Sequence, residues 1–155
     1  MRLIMRGFDP ALVDAQVGDP VDGDTAYAVC LYDDTDDLVA SMHVDRAQDV
    51  CSTTDRPCWA RTKSRGMRYA DKDLAADGVR KLSVDAGGRD GGKLVVKGKN
   101  SARRGRVNLP VGSAAALASA GHATVQIVTS DADCFGAMLE EIRVSNGRMF
   151  KGLRR

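Results

Sequence analysis

Hydrophobic and polar residues alternate with a period of two along much of the chain. Tyr27, Val29 and Leu31 fall on one face of residues 27–32, and Leu38, Ala40, Met42 and Val44 on one face of residues 38–44. Successive side chains point to opposite sides in an extended strand, so both segments predict strands. Between them lies Asp33-Asp34-Thr35-Asp36-Asp37, a run of turn formers, and the three parts together predict a hairpin. Leu82 and Val84 share a face within residues 79–85, and Leu94–Val96 follows. The link Ala86-Gly87-Gly88-Arg89-Asp90-Gly91-Gly92 tolerates positive φ at its glycines and predicts a second hairpin. Arg68–Ala70 is a further short candidate, as is Leu3–Arg6. Ala123, Val125 and Ile127 mark one face of a strand over 123–129, after the punctuation Asn108-Leu109-Pro110.

Two stretches read either way. Ser113–Ala120 is alanine-rich without a β-branched residue and fits one or two helical turns. Phe135, Met138, Leu139 and Ile142 recur at i, i+3, i+4 and i+7, a helical stripe that equally suits a bulged strand running through Val144. Asp9-Pro10 and Gly18-Asp19-Pro20 break up the start of the chain. The pattern as a whole predicts an all-β fold. It is an antiparallel two-sheet sandwich, immunoglobulin-like or jelly-roll-like, with one short helix near 113–120. The sandwich spans residues 25–155, and residues 1–24 form an N-terminal extension or edge strand.

Composition agrees. Asp outnumbers Glu 19 to 2, and there are 16 glycines. Asp competes with helical backbone bonds and favours turns. At 155 residues and 43% hydrophobic, the chain suffices for one packed core. No run of 18 apolar residues is present, so no helical membrane span is expected. Met1–Gly7 is too short for the apolar core of a signal peptide, so an exported form would carry its leader outside this sequence.

The net charge of +2 argues against a generic nucleic-acid binder. Its distribution is uneven: residues 1–57 hold 12 acids and 4 bases, and residues 58–155 hold 9 acids and 19 bases. The plain reading is strands that neutralise one another within a sheet. The sharper one is attraction between copies, acidic part to basic part, with Met1–Gly7 adding a strand to a neighbour's sheet edge.

Four cysteines allow three pairings. Cys51 and Cys58 flank a turn-compatible stretch and suit a small closed loop, which leaves Cys30 to join Cys134. Two such bridges would hold only in an oxidising compartment. Zinc ligation and four buried thiols are the competing readings, although zinc sites favour cysteine pairs closer together. Trp59, beside Cys58, reads as a core plug packed on sulfur.

At these residues the chain resembles a known kind of module. Cys30-Leu31-Tyr32-Asp33, Cys51 and Pro57-Cys58-Trp59 are followed by Tyr69-Ala70-Asp71-Lys72-Asp73 and Asp77-Gly78-Val79 with Lys81-Leu82. Then come Gly92-Lys93, Val96-Lys97-Gly98-Lys99, Leu109-Pro110, Val125-Gln126 and Cys134. In order and spacing these blocks resemble a disulfide-containing, β-rich module of bacterial secreted and surface proteins, over residues 25–152. Many copies follow the last Cys with Trp-Glu, whereas this chain has Phe135-Gly136. The resemblance implies export, a β-rich fold and an accessory role, and it supplies no active site.

Signs of catalysis are thin. His43 and His122 are the only histidines, and no Gly-x-Ser-x-Gly, His-Glu-x-x-His or phosphate-loop motif occurs. Asp33, Asp34, Asp36 and Asp37 are the strongest candidate cation ligands, with Asp19, Asp22 and Asp24, and Asp131 and Asp133, as lesser groups. Calcium takes several oxygen ligands from flexible loops, but Asp is also the ordinary turn residue. Basic runs at Arg61-Thr62-Lys63-Ser64-Arg65 with Arg68, at Arg103-Arg104-Gly105-Arg106 and at Arg154-Arg155 suit polyanions or a solvated face. Aromatic residues make only 5%, so a stacking platform for nucleic acid is not expected.

The expectation is a non-catalytic extracellular structural or adhesive module of a bacterial surface or secreted protein. Its partners are further copies of itself, other surface proteins or polysaccharide, and no cofactor is required. The alternative is a calcium- or carbohydrate-binding module.

Overall fold

The alternating segments pair into antiparallel ladders. The computed structural model describes residues 2–8, 14–51, 55–63, 66–88, 91–98, 117, 120–146 and 149–153. Its strands are β1 (Arg2–Phe8), β2 (Tyr27–Tyr32), β3 (Leu38–Val44), β4 (Trp59–Arg61), β5 (Gly66–Ala70) and β6 (Val79–Gly88). They continue with β7 (Gly91–Gly98), β8 (Ala123–Thr129), β9 (Cys134–Leu139), β10 (Glu141–Asn146) and β11 (Met149–Leu153). A single helix, α1 (Asp14–Val17), is found among the described residues.

One sheet has five strands in the order β1-β7-β6-β5-β4, the other four in the order β3-β2-β8-β9, and β10 and β11 form a separate hairpin. The protein is thus mostly β, a two-sheet sandwich as the alternation predicts. Both expected hairpins form: β2 pairs β3 around the aspartate turn, and β6 pairs β7 with Gly88 opposite Gly91. The strand expected to seek a neighbour's sheet instead pairs with β7 of its own chain, Ile4 opposite Val95.

The inward residues form one core. Val29, Leu31, Met42, Val125 and Ile127 from the smaller sheet and Leu82, Val84, Leu94 and Val96 from the larger are fully buried. Trp59 is 2% exposed. Its ring stands 4.9 Å from Tyr27 and 5.2 Å from Tyr69, so one aromatic stack ties the two sheets together. Leu38 departs from its predicted face and is 56% exposed. The cause is a register shift: Leu31 pairs with Ala40 but Tyr32 pairs with Leu38, which leaves Val39 as the extra residue of a bulge.

The ambiguous stripe resolves as strand. Phe135, Ala137 and Leu139 oppose Ile127, Val125 and Ala123, the buried face of β8. A partner strand with a fitting inner face decides between the two periods. Gly136 permits this approach, since a Cβ there would strike the Val125 carbonyl oxygen. The helix expected near 113–120 lies, apart from Leu117 and Ala120, outside the described residues; Leu117 sits in a turn and is buried.

Cys51 and Cys58 form a disulfide with Cα atoms 4.7 Å apart. The loop is also closed by backbone bonds, from Cys51 N to Arg56 O at 3.0 Å and from Cys58 N to Asp49 O at 2.7 Å. Next to it, Asp71 is buried but satisfied. It accepts from the Tyr69 hydroxyl at 3.1 Å, from the amides of Asp73 at 2.7 Å and Ala75 at 2.9 Å, and pairs with Arg46 at 3.6 Å. A buried carboxylate is tolerable only with such a set of partners.

Candidate functional site

Strand register places single basic residues side by side on the outer face of the five-stranded sheet. Lys81 of β6 lies directly opposite Lys97 of β7, Asp85 opposite Lys93, and Ser83 opposite both Val95 and Arg68. β1 extends two of these rows, with Arg2 opposite Lys97 and Arg6 opposite Lys93. Among the described outward positions of β5, β6 and β7, Asp85 is the one carboxylate, and it accepts a hydrogen bond from Thr62 Oγ1 at 2.9 Å. Burial, and then the charges of Lys97, Arg68 and Lys93, hold the Lys81 ammonium below the ordinary lysine value. Like charges paired directly across a ladder destabilise it. The face is therefore a concentration of positive potential that the fold does not need.

A pocket of ≈ 610 Å³ opens where the α1–β2 connection meets β4 and β5. Asp19, Asp24, Thr25, Arg61 and Asp131 give it polar walls, and Val17 and Met67 are among its apolar ones. The connection is shaped by Gly18, whose φ of +76° and whose closeness to Thr25 Cγ2, 2.5 Å from an added Cβ, both demand glycine. Thr25 Oγ1 accepts from the Asp19 amide at 2.9 Å and donates to Asp131 at 2.7 Å. Tyr27 donates its hydroxyl to the Val17 carbonyl at 2.7 Å. Arg61 bridges to Asp19 at 2.6 Å and Asp22 at 2.8 Å. Burial alone would raise the Asp19 carboxyl, but the amides of Asp22 and Val21 and the Arg61 guanidinium outweigh it and hold it below the usual carboxylate value. Two of the acidic groups singled out in the sequence thus meet here, and neither His43 nor His122 lines the pocket.

The leading cation candidate is a self-bonded turn. Asp33 Oδ1 accepts from Thr35 N at 3.0 Å, Thr35 Oγ1 at 2.8 Å and Asp37 N at 3.0 Å. Asp36 takes a positive φ of 64°, and Asp34 accepts from the Gly121 amide at 2.8 Å. Asp33 thus holds the hairpin turn together, Asp37 accepts from Thr35 Oγ1 at 3.3 Å, and Asp34 ties the turn to Gly121. No cluster of three or more His, Cys, Asp or Glu able to hold a metal is found among the described residues.

The expected Cys30–Cys134 bridge is not present; both are free thiols. Cys30 lies opposite Gln126, and Cys134 opposite Val128, on the same outer face of the four-stranded sheet with β8 between them. Two strand spacings are about 9.6 Å, beyond the separation of roughly 7 Å at which two Cα atoms can be bridged. Burial pushes the Cys30 thiol above its ordinary value, with the charge of nearby Cys134 adding to the rise and the Tyr32 hydroxyl opposing it.

Of the basic runs that draw the eye in the sequence, Arg68 is described on the cationic face. Arg103–Arg106 and Arg154-Arg155 lie outside the described residues. Lys93 stands singly in the chain, Lys81 follows Arg80 and Lys97 is two residues from Lys99, so only the period-two outward positions of β6 and β7 could have marked them as a set. No helix among the described residues is long and apolar enough to cross a membrane. Comparison with protein-family models, with curated proteins and with solved structures finds no match for this chain.

Proposed function

We propose that this chain is a non-catalytic contact module of a secreted or cell-surface bacterial protein, and that it holds an acidic polysaccharide on the outer face of its five-stranded sheet. The observation that carries the reading is Lys81 opposite Lys97, flanked by Lys93 and Arg68. A flexible polyanion with spaced carboxylates or sulfates relieves that repulsion and gains counterion release on binding. No aromatic side chain stands among the described outward positions of β5, β6 and β7, so bases have nothing to stack on and nucleic acid is the poorer match. The Cys51–Cys58 disulfide and the resemblance to a surface module support a place outside the cytoplasm.

Titration with polygalacturonate and with a sulfated polysaccharide tests this. Binding at low salt that weakens steadily as salt rises, and that falls in the Lys81→Gln/Lys97→Gln double variant, is the expected result. No binding at low salt, or tighter binding of single-stranded DNA than of either polysaccharide, overturns it.

The pocket favours a second reading, a small polyhydroxylated ligand held by Asp24, Asp131 and Arg61. A thermal shift with neutral saccharides that disappears in Asp131→Asn would establish it.

A further inference from the structure

The two outer faces of the sandwich differ in kind. On the four-stranded sheet, the outward positions run from Ala28 to Tyr32 on β2 and from Thr124 to Val128 on β8, are Leu38, Ser41 and His43 on β3, and run from Cys134 to Met138 on β9. None of them is Asp, Glu, Lys or Arg, in a chain of which 28% is charged. The face is accessible: Tyr32, Gln126 and Val128 are half-buried, Cys134 is exposed, and Met138 is 46% exposed. A water-facing sheet ordinarily carries charges of both signs on such positions. Solubility does not call for a charge-free one.

We infer that this face docks a second copy of the chain, sheet to sheet across a two-fold axis. A two-fold contact sets one patch against itself, so a patch that carries charge of one sign meets the same sign. The cationic sheet would repel its own image. The neutral sheet meets its image without penalty, and Thr124, Ser41 and Gln126 supply uncharged groups that donate and accept hydrogen bonds in either direction. Tyr and Met with few charges is the composition of interface centres. A lipid surface is a worse fit, because the cations that would seek anionic headgroups lie on the opposite sheet. Four strands of about five residues cover roughly 330 Å² per copy, below the size of stable specific interfaces and in the range of weak contacts. The dimer is accordingly weak and reversible. It presents two cationic faces in opposite directions, which turns one polymer-binding surface into a cross-link between two polymer chains.

Sedimentation of the full chain, in reductant and without polysaccharide, tests the contact independently of the polymer reading. A dimer that forms with rising concentration, up to about 500 µM, and persists in high salt is expected. Met138→Lys and Gln126→Glu should each weaken self-association by about tenfold or more, while the melting temperature stays unchanged. Mixing the Met138→Lys and Met138→Glu chains should restore a heterodimer. The Cys134 thiol should react more slowly with a maleimide as dimer accumulates. A chain that stays monomeric, a dimer that salt dissolves, or variants that dimerise like the parent would overturn the inference. So would a monomer in which Cys134 is already shielded, since that places another segment of the same chain on the face.

Discussion

Lys81 and Lys97 face each other across the β6–β7 ladder. A neutral partner for Lys97 removes a direct repulsion. Lys81→Gln should therefore stabilise the fold by about 0.5 kcal/mol in urea denaturation. The same change should weaken polysaccharide binding and lower the steepness of its salt dependence by about one counterion. A variant that gains stability and loses affinity together marks a residue kept for binding. Loss of both would mean that Lys81 has a structural role.

Asp71 carries four partners in a space closed to water. Asp71→Ala would strand the Tyr69 hydroxyl and two amides, while the Arg46 guanidinium keeps Asp49 and the Val50 carbonyl. The expected cost is about 3 kcal/mol, read as a drop in the denaturation midpoint at unchanged slope.

The Cys51–Cys58 loop spans 7 positions of sequence. Closing a loop that short removes unfolded-state entropy worth about 2.5 kcal/mol. Reduction, or a Cys51→Ala/Cys58→Ala double change, should lower stability by that amount and leave the far-ultraviolet spectrum of a β protein. Thiol labelling of the native protein without reductant should modify Cys134 first, Cys30 more slowly, and the disulfide pair not at all.

Acid should weaken the protein in a defined window. Hydrogen bonds from Thr35, opposed by some desolvation, lower the Asp33 carboxyl, and the amides and Arg61 lower that of Asp19. A carboxyl with a depressed folded value adds stability that is complete above the unfolded value of about 3.9. That stability is lost as pH falls through the folded value. Denaturation midpoints should thus hold steady down to the unfolded value and decline below it. Asp19→Asn should flatten part of that decline, and Arg61→Ala, which removes one cause of the depressed Asp19 value, should flatten it too.

Gly18 sits where a side chain has neither the φ nor the room. Gly18→Ala should cost about 1–2 kcal/mol from strain alone. It should also push Thr25 from Asp131 and change ligand binding in the pocket more than binding on the cationic face.

The strands were legible because their inner residues alternate cleanly: Tyr27, Val29 and Leu31 needed no tertiary information to read. The cationic face was hidden because Arg68, Lys81, Lys93 and Lys97 become neighbours only through register, and register follows from which strands pair. Pairing the cysteines by elimination presumed that every thiol is bridged. β8, lying between β2 and β9, breaks that presumption for Cys30 and Cys134. The pocket arises where Gly18 and Pro20 break all periodicity, so its walls had no pattern to announce them.

β1 and its hydrogen-bonding partner β7 are about ninety residues apart in sequence, with Ile4 meeting Val95. During synthesis β1 is made well before β7, and closing so large a loop is slow. Until β7 arrives, another newborn copy offers the same vacant edge. Crowded production should then yield exchanged, interlocked molecules, and slower translation or dilution should suppress them.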